Sequence, residues 1–339
     1  MAAASVRDVA IDAGVSVGTV SNVLNHPEKV LPSTVAKVRQ SIAALGFVRN
    51  DAARQLRAGR SKTIGLVVLD VRNPFFTDIA RGAEDRANNT GLSIILGNID
   101  QNVERESAYL DLFEQQRVHG VLISPFGDIT ERLARMRDRG ISAVLVDRIG
   151  GDSGLSSVSV DDVAGGRLAV EHLIAQGRRR IGFMASSFNI RQVIDRLEGA
   201  HAAVEKHPGA TLEVIEVDAL TVLAGRSAGE RLSERSPDDR PDAIFAVNDL
   251  IALGVLQALN MSGKCLVPRD LALIGYDDID FASAAIVPLS SIRQPSALIG
   301  QTAVEILLEE AADPTRAPRQ VVFQPELVVR ESTAGAIAG

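Results

Sequence analysis

Three short polar runs in this chain each follow an apolar stretch. Asp147-Arg148 follows residues 143–146, Asn248-Asp249 follows 243–247, and Asp277-Asp278 is joined to 271–274 through Gly275-Tyr276. Carboxylates accept hydrogen bonds, while arginine and asparagine donate them. Brought to one cleft, these groups suit a hydroxyl-rich ligand, with Phe75 and Phe76 as an apolar wall against a sugar face. A plainer role competes at two positions: Asp249 reads as a helix cap and Asp278 as a cap or turn. Catalytic patterns do not hold up. Gly225-Arg226-Ser227-Ala228-Gly229 has nucleophile-elbow spacing, but that chemistry needs a strand running straight into a strained turn. Leu223, Ala224, Ala228 and Leu232 are instead spaced as one helix. Ser262-Gly263-Lys264-Cys265 lacks the earlier glycine of a phosphate loop and has Cys where Ser or Thr is needed. The five histidines show no metal-ligand spacing, and His172 reads as structural on a helix face. No enzyme, cofactor or metal is expected.

The elements that must carry these residues alternate. From Ile64 onward, apolar strand-like runs at 64–69, 93–96, 121–123 and 143–146 are separated by helix-length segments. A second series follows at 157–160, 181–184, 212–217, 243–247 and 271–274. Continuous apolar strands between helices indicate parallel sheets covered on both faces. Two series predict an α/β core of two doubly wound lobes, and ligands in such sheets bind beyond the carboxyl ends of the strands. A strand near Ser291, a helix from Ser296 to about Glu310, and strands near Val321 and Leu327 follow. At 339 residues and 46% hydrophobic, the chain is long enough for this core and a further small domain. One cysteine, Cys265, excludes an internal disulfide framework. No stretch approaches a membrane span, and the N-terminus lacks the apolar core of a signal peptide, so a cytoplasmic location and no membrane partner are expected.

The first sixty residues differ from the rest. Ser5 and Asp8 form a capping-box pattern before a helix whose inward face is Val6, Val9, Ala10 and Ala13; Gly14 ends that helix. Ser16 caps a second helix to about Leu24, with Val20, Val23 and Leu24 at packing positions. Pro32 opens a third, with Val35, Val38, Ile42 and Leu45 on one face and Leu31 at a position lacking a capping side chain. This spacing fits a helix-turn-helix whose second helix enters the major groove. Residues 1–60 carry eight Lys or Arg against four Asp or Glu, a net of +4; the chain is −7 overall, so the remainder is −11. A basic head on an acidic body concentrates attraction for phosphates at one end.

From Ser5 through the run at 60–68, and on through Asn73-Pro74-Phe75-Phe76, Val160-Asp161, Arg196-Leu197-Glu198-Gly199, Val247-Asn248-Asp249, Gly275-Tyr276-Asp277-Asp278 and Ile292-Arg293-Gln294-Pro295, the chain resembles a LacI/GalR-family transcriptional regulator. The resemblance implies a helix-turn-helix head over 1–49, a hinge helix and linker over 50–61, and a periplasmic-binding-protein-like core over 62–339. Lobe one would take about 62–157 plus 291–322, and lobe two about 158–290 plus 323–330. Val17, Gly18 and Asn22 would face base edges, and Ser16, Thr19 and Ser21 would mostly contact phosphates. Asn50 to Arg57 would form the hinge helix, with Ala53 allowing two copies to pack and Leu56 wedging into the minor groove. Val17 offers only an apolar contact, Gly18 reads nothing, and Asn22 prefers adenine, so a relative's operator cannot be copied. Implied effector contacts are Asp277, Arg196 and Asn248, then Arg148, Asp161 and Phe76 beside Phe75, then Asp147 and Arg191. Relatives often place an aromatic near Leu220 to stack on a sugar or purine; leucine there favours a small sugar or polyol.

The reading is a repressor binding palindromic double-stranded DNA under a small-molecule effector, with no leucine heptad after Arg330 and therefore a homodimer. Residues 334–339 read as a frayed tail. Alternatives are a solute-binding protein, or a regulator answering to a nucleobase or a protein co-effector such as a phosphocarrier.

Overall fold

The computed structural model describes residues 4–47 and 61–334, in two compact units divided after Arg60. The hinge residues Asn50, Ala53 and Leu56, and the tail over 335–339, lie outside the described residues.

In the first unit, Ser5 Oγ accepts from the Asp8 amide while the Asp8 carboxylate accepts from the Ser5 amide, closing the capping box of the helix Val6–Asp12. Gly14, at φ +66°, turns the chain where a Cβ would be strained. Ser16 Oγ then accepts from the Thr19 amide at 3.0 Å and starts Val17–Asn25. Pro32 opens Pro32–Leu45 with no side-chain cap at Leu31. Val9, Ala10, Val20, Val23, Val38 and Phe47 form the core. Leu45, expected on the buried face, is 38% exposed; Phe47, beyond the helix, is buried in that core.

The second unit contains twelve strands: β1 (Thr63–Val68), β2 (Ser93–Asn98), β3 (Gly120–Ile123), β4 (Ser142–Val146), β5 (Ser156–Val160), β6 (Arg180–Ala185), β7 (Thr211–Glu216), β8 (Ala243–Ala246), β9 (Ala272–Asp277), β10 (Ser290–Arg293), β11 (Gln320–Phe323) and β12 (Glu326–Val328). They form two six-stranded sheets, ordered β11-β5-β4-β3-β1-β2 and β12-β10-β9-β8-β6-β7. Every pairing is parallel except β10 with β12. Two strands sit elsewhere than their order in the chain suggests. β5, expected at the head of the second series, pairs with β4 in the first sheet. β10, expected with lobe one, pairs with β9 in the second. Apolar patterning marks a strand but not which strand it joins.

Three helix pairs meet at reciprocal glycines. Gly82 and Gly300 join Pro74–Asn88 to Ser296–Ala312, Gly166 and Gly199 join Asp162–Ala175 to Arg191–Glu205, and Gly225 and Gly254 join Val222–Glu234 to Asp249–Ser262. At Gly300 a Cβ would overlap the Ile79 carbonyl oxygen, so these backbones lie closer than any side chain permits. Helix propensity alone favours replacing a helical glycine; here backbone overlap wins. Gly300→Val is expected to cost about 3 kcal/mol or more, measured as a fall in the urea unfolding midpoint. An unchanged midpoint would show that the helices separate freely.

The candidate effector cleft and the reading helix

Backbone strain in the second unit gathers where the strands end. Asp100 and Gln101 after β2, Asp147 after β4, Ser187 after β6, and Asp277 and Asp278 at the end of β9 all have positive φ, from +51° to +105°. Each such residue costs on the order of 1–3 kcal/mol and persists where its surroundings hold it. Short polar side chains tolerate this region best, and specific partners hold them here. Asn73 Nδ2 donates to Asp277 Oδ2 at 2.8 Å, and Gln294 Nε2 donates to Asp277 Oδ1 at 2.8 Å. Gln192 Nε2 donates to the Asp147 carboxylate and also to its carbonyl oxygen. Ser187 Oγ donates to Gln101 Oε1 at 2.6 Å. Asp278 accepts from Arg330 and Arg293, while its amide donates to Ser291 Oγ.

Three of these contacts cross from the first sheet's side to the second's, around a shared cavity. Asn73, Gln101 and Asp147 hang from strand ends of the first sheet; Asp277, Ser187 and Gln192 belong to the second. The first side also contributes Leu69, Asp70, Phe75 and Phe76, whose rings meet edge to face at 5.1 Å. The second contributes Ile190, Val193, Arg196, Leu220, Val247 and Asn248. Phe75 and Phe76 are placed by the helix they open: Asn73 Oδ1 caps it by accepting from the Phe75 amide, and Pro74 takes its first position.

Arg196 organises the floor. It is 6% exposed; Nε donates to Asp162 Oδ1 at 2.7 Å, Nη1 donates to the Val247 carbonyl at 2.7 Å, and the guanidinium lies 3.6 Å from the Tyr276 ring centroid. Burial alone would lower its pKa, but Asp162, Tyr276 and Asp277 hold it above the usual arginine range. The carboxylates move the other way. Burial, with Asp162 nearby, raises Asp147 well above its ordinary value. Burial pushes Asp277 up to about 6 against the opposing pull of Arg196, Asn73 and Gln294. Burial and then Asp277 raise Asp249 well above the carboxylate range.

Of the effector contacts expected from sequence, Phe75, Phe76, Arg196, Asn248 and Asp277 line this cavity, as does Asp147. Arg148 and Asp161 are not among its lining residues. Asp161 Oδ1 caps Asp162–Ala175 by accepting from the Ala164 amide, and the charge of Arg148 acts on Asp128. Arg191 pairs with Asp195 instead of lining the cavity. The cap expected of Asp249 is made by Asn248, whose Oδ1 accepts from the Ile251 amide. Asp249 is fully buried and accepts from Ser291 Oγ and the Ile279 amide. Asp70, Asn73, Gln101 and Gln192 were not singled out. The strand-end rule reaches the first three, and Gln192 stands one turn before Arg196 on the same helix.

Gly225 to Gly229 lies inside Val222–Glu234, with no strand entering it, so no elbow forms. His172 is buried against Thr333, Nε2 to Oγ1 at 2.7 Å, and burial lowers its pKa. No metal-holding cluster and no helix able to cross a membrane occur among the described residues.

On the helix Val17–Asn25 of the first unit and its cap, Ser16, Val17, Gly18 and Asn22 are exposed and Thr19 and Ser21 are half-exposed. Val17, 47% exposed, presents an apolar contact away from the core. Ser16 and Thr19 hydroxyls bond each other at 2.9 Å, and Asn25 donates to the Ser21 carbonyl.

Comparison with known proteins agrees with this arrangement. Residues 5–50 match the model of bacterial regulatory proteins of the lacI family, and residues 170–333 match a periplasmic binding protein-like domain. The HTH-type transcriptional repressor PurR of Photobacterium profundum is 34% identical over 336 residues, covering 97% of this chain and 98% of that protein. Among solved structures, the lac repressor dimer bound to operator and the anti-inducer ONPF superposes with a TM-score of 0.82 at 28% identity, over 98% of this chain and 100% of the other. A LacI family regulator from Enterococcus faecium with bound ribose gives 0.73 at 28% identity, over 80% and 98%.

Proposed function

This chain belongs to the LacI family of bacterial regulatory proteins, and from that premise we propose that it is a repressor released or retained on its operator by a pentose-sized sugar or polyol. Its relatives are transcriptional repressors rather than enzymes. The observation that carries the effector assignment is the cavity in which Asp147 and Gln192, and Asn73 and Asp277, bond across the two sheets. A ligand there would replace these contacts with its own hydroxyls and change the relation of the sheets. Its effect on operator affinity is limited to its preference for one arrangement over the other. Leu220 lines the cavity, and Phe75 and Phe76 meet edge to face, so among the described lining residues there is no parallel aromatic pair to sandwich a flat base. The ribose-bound relative supports the same class. The name PurR carried by curated relatives is the reason to keep nucleobases as the second reading.

At the DNA, Val17 would touch a thymine methyl, Asn22 would read adenine, and Ser16, Thr19 and Ser21 would meet phosphates. Asn50, Ala53 and Leu56 would serve the hinge helix, and a homodimer would match a palindrome. The test is fluorescence anisotropy on an operator selected from random DNA, repeated with pentoses, hexoses, polyols and purine bases. A pentose or polyol should change operator affinity by roughly 5- to 150-fold. The same change produced by a nucleobase alone would replace the sugar reading.

A further inference from the structure

Asp147 and Asp277 reach the cavity from opposite sheets, while Asp162 and Asp249 are buried behind it. One buried cation, Arg196, answers them, and its Nε and Nη1 are already taken by Asp162 and Val247. Asp70 also lines the cavity, but Arg72 Nε holds both of its oxygens, at 2.9 and 3.0 Å. Among the described side chains that line the cavity, two buried acceptors have no partner: Asp147 Oδ1 and Gln192 Oε1, on side chains that are 3% and 5% exposed.

We infer that this cleft selects its ligand by charge: it takes a molecule that offers O–H or N–H donors to Asp147 and Gln192 and carries no anionic group, so phosphorylated and carboxylated forms of an otherwise fitting sugar are refused. The inference rests on the reading of the cleft as the effector site and narrows it. A buried acceptor left empty costs free energy, and a ligand donor recovers it. An added phosphate would face two carboxylates, and the one cation among the described residues lining the cavity, Arg196, is already paired through Nε with Asp162. At separations of about 5 Å and an effective dielectric near 20, each such repulsion weakens binding on the order of a hundredfold. Free sugars and amino sugars share the required donors.

Two measurements on the full chain test this. The first needs no ligand. Asp147→Asn removes one charge and lets the new amide donate to Gln192 Oε1. Its melting midpoint should rise by about 2–4 °C at pH 8, and by less as pH falls, because burial already favours the protonated carboxyl of Asp147. Arg117→Asn, at an exposed left-handed position (φ +46°) outside the cleft, measures what asparagine gains from such a backbone alone. A fall in the midpoint, or a gain no larger than that control, overturns the inference. The second is a thermal-shift comparison of D-ribose with D-ribose 5-phosphate and of D-glucosamine with D-glucosamine 6-phosphate. Stabilisation by a free sugar and not by its phosphate is expected; the amino sugar separates ammonium from hydroxyl donors. A phosphate that stabilises as well as its parent overturns charge selection while leaving a sugar effector in place. If no sugar shifts the midpoint but Asp147→Asn gains as stated, charge selection stands and the sugar reading fails.

Discussion

Replacing Arg196 by methionine is expected to destabilise the protein by about 3–5 kcal/mol, the largest effect of any single substitution in the cleft. Arg196 and Asp162 are both at least nine-tenths buried, and the salt bridge between them is 2.7 Å long. Methionine fills much of the volume but leaves Asp162 without its cation and Val247 without its donor. The unpaired charge decides the outcome: lost packing alone would cost far less. Two controls isolate it. Asp162→Asn in the same background should recover part of the loss, because the two residues act as one unit. The deficit should also shrink as pH falls, since removing the cation raises the carboxyl pKa and protonation relieves the charge. Urea unfolding at pH 8 and pH 5.5 measures both. A loss under about 1 kcal/mol, unchanged by pH, would mean that water reaches Asp162.

Asp277→Ala is expected to abolish the effector response while leaving operator affinity within about twofold of the parent. Asp277 lines the cavity and joins the sheets through Asn73. Its carboxyl, ordinarily near 3.8, sits at about 6, chiefly through burial. A raised carboxyl pKa favours the protonated form in the folded protein. Ionised Asp277 therefore costs stability fully above pH 6, and that cost recedes as pH falls from 6 toward 3.8. Effector binding runs in the opposite direction. A ligand donor prefers the carboxylate, so affinity should hold from pH 8 to 6.5 and weaken below 6, approaching tenfold per pH unit. Isothermal titration across that range with the effector identified by the operator assay checks the slope. Affinity independent of pH would remove ionised Asp277 from the contact set, and an undiminished response in Asp277→Ala would remove the residue altogether.

Much of the architecture was legible because its signals are local. Ser5, Ser16 and Pro32 mark helix starts through hydrogen bonds that span three residues or a single fixed φ. The nine apolar runs fall on β1 to β9, because period and burial are properties of a short segment. The rule that ligands sit beyond strand ends points to Asp147, Asn248 and Asp277 from sequence alone. It also points to Arg148, whose neighbour turns inward instead. Asp147 at φ +57° aims its own carboxyl at the cavity, and a one-residue step along the chain reverses direction.

The sequence by itself determined the elements, the basic head, the family, and the strand ends where a ligand would meet polar groups. The tertiary structure alone decided which sheet β5 and β10 join, that Asn248 and not Asp249 is the cap, and that Asn73 meets Asp277 across 204 residues of chain. The physical reason is range. Caps, turns and periodicity are short-range interactions written in neighbouring residues, whereas strand pairing and the partners of a buried carboxylate depend on which distant segments pack together, and many apolar segments satisfy the same pattern.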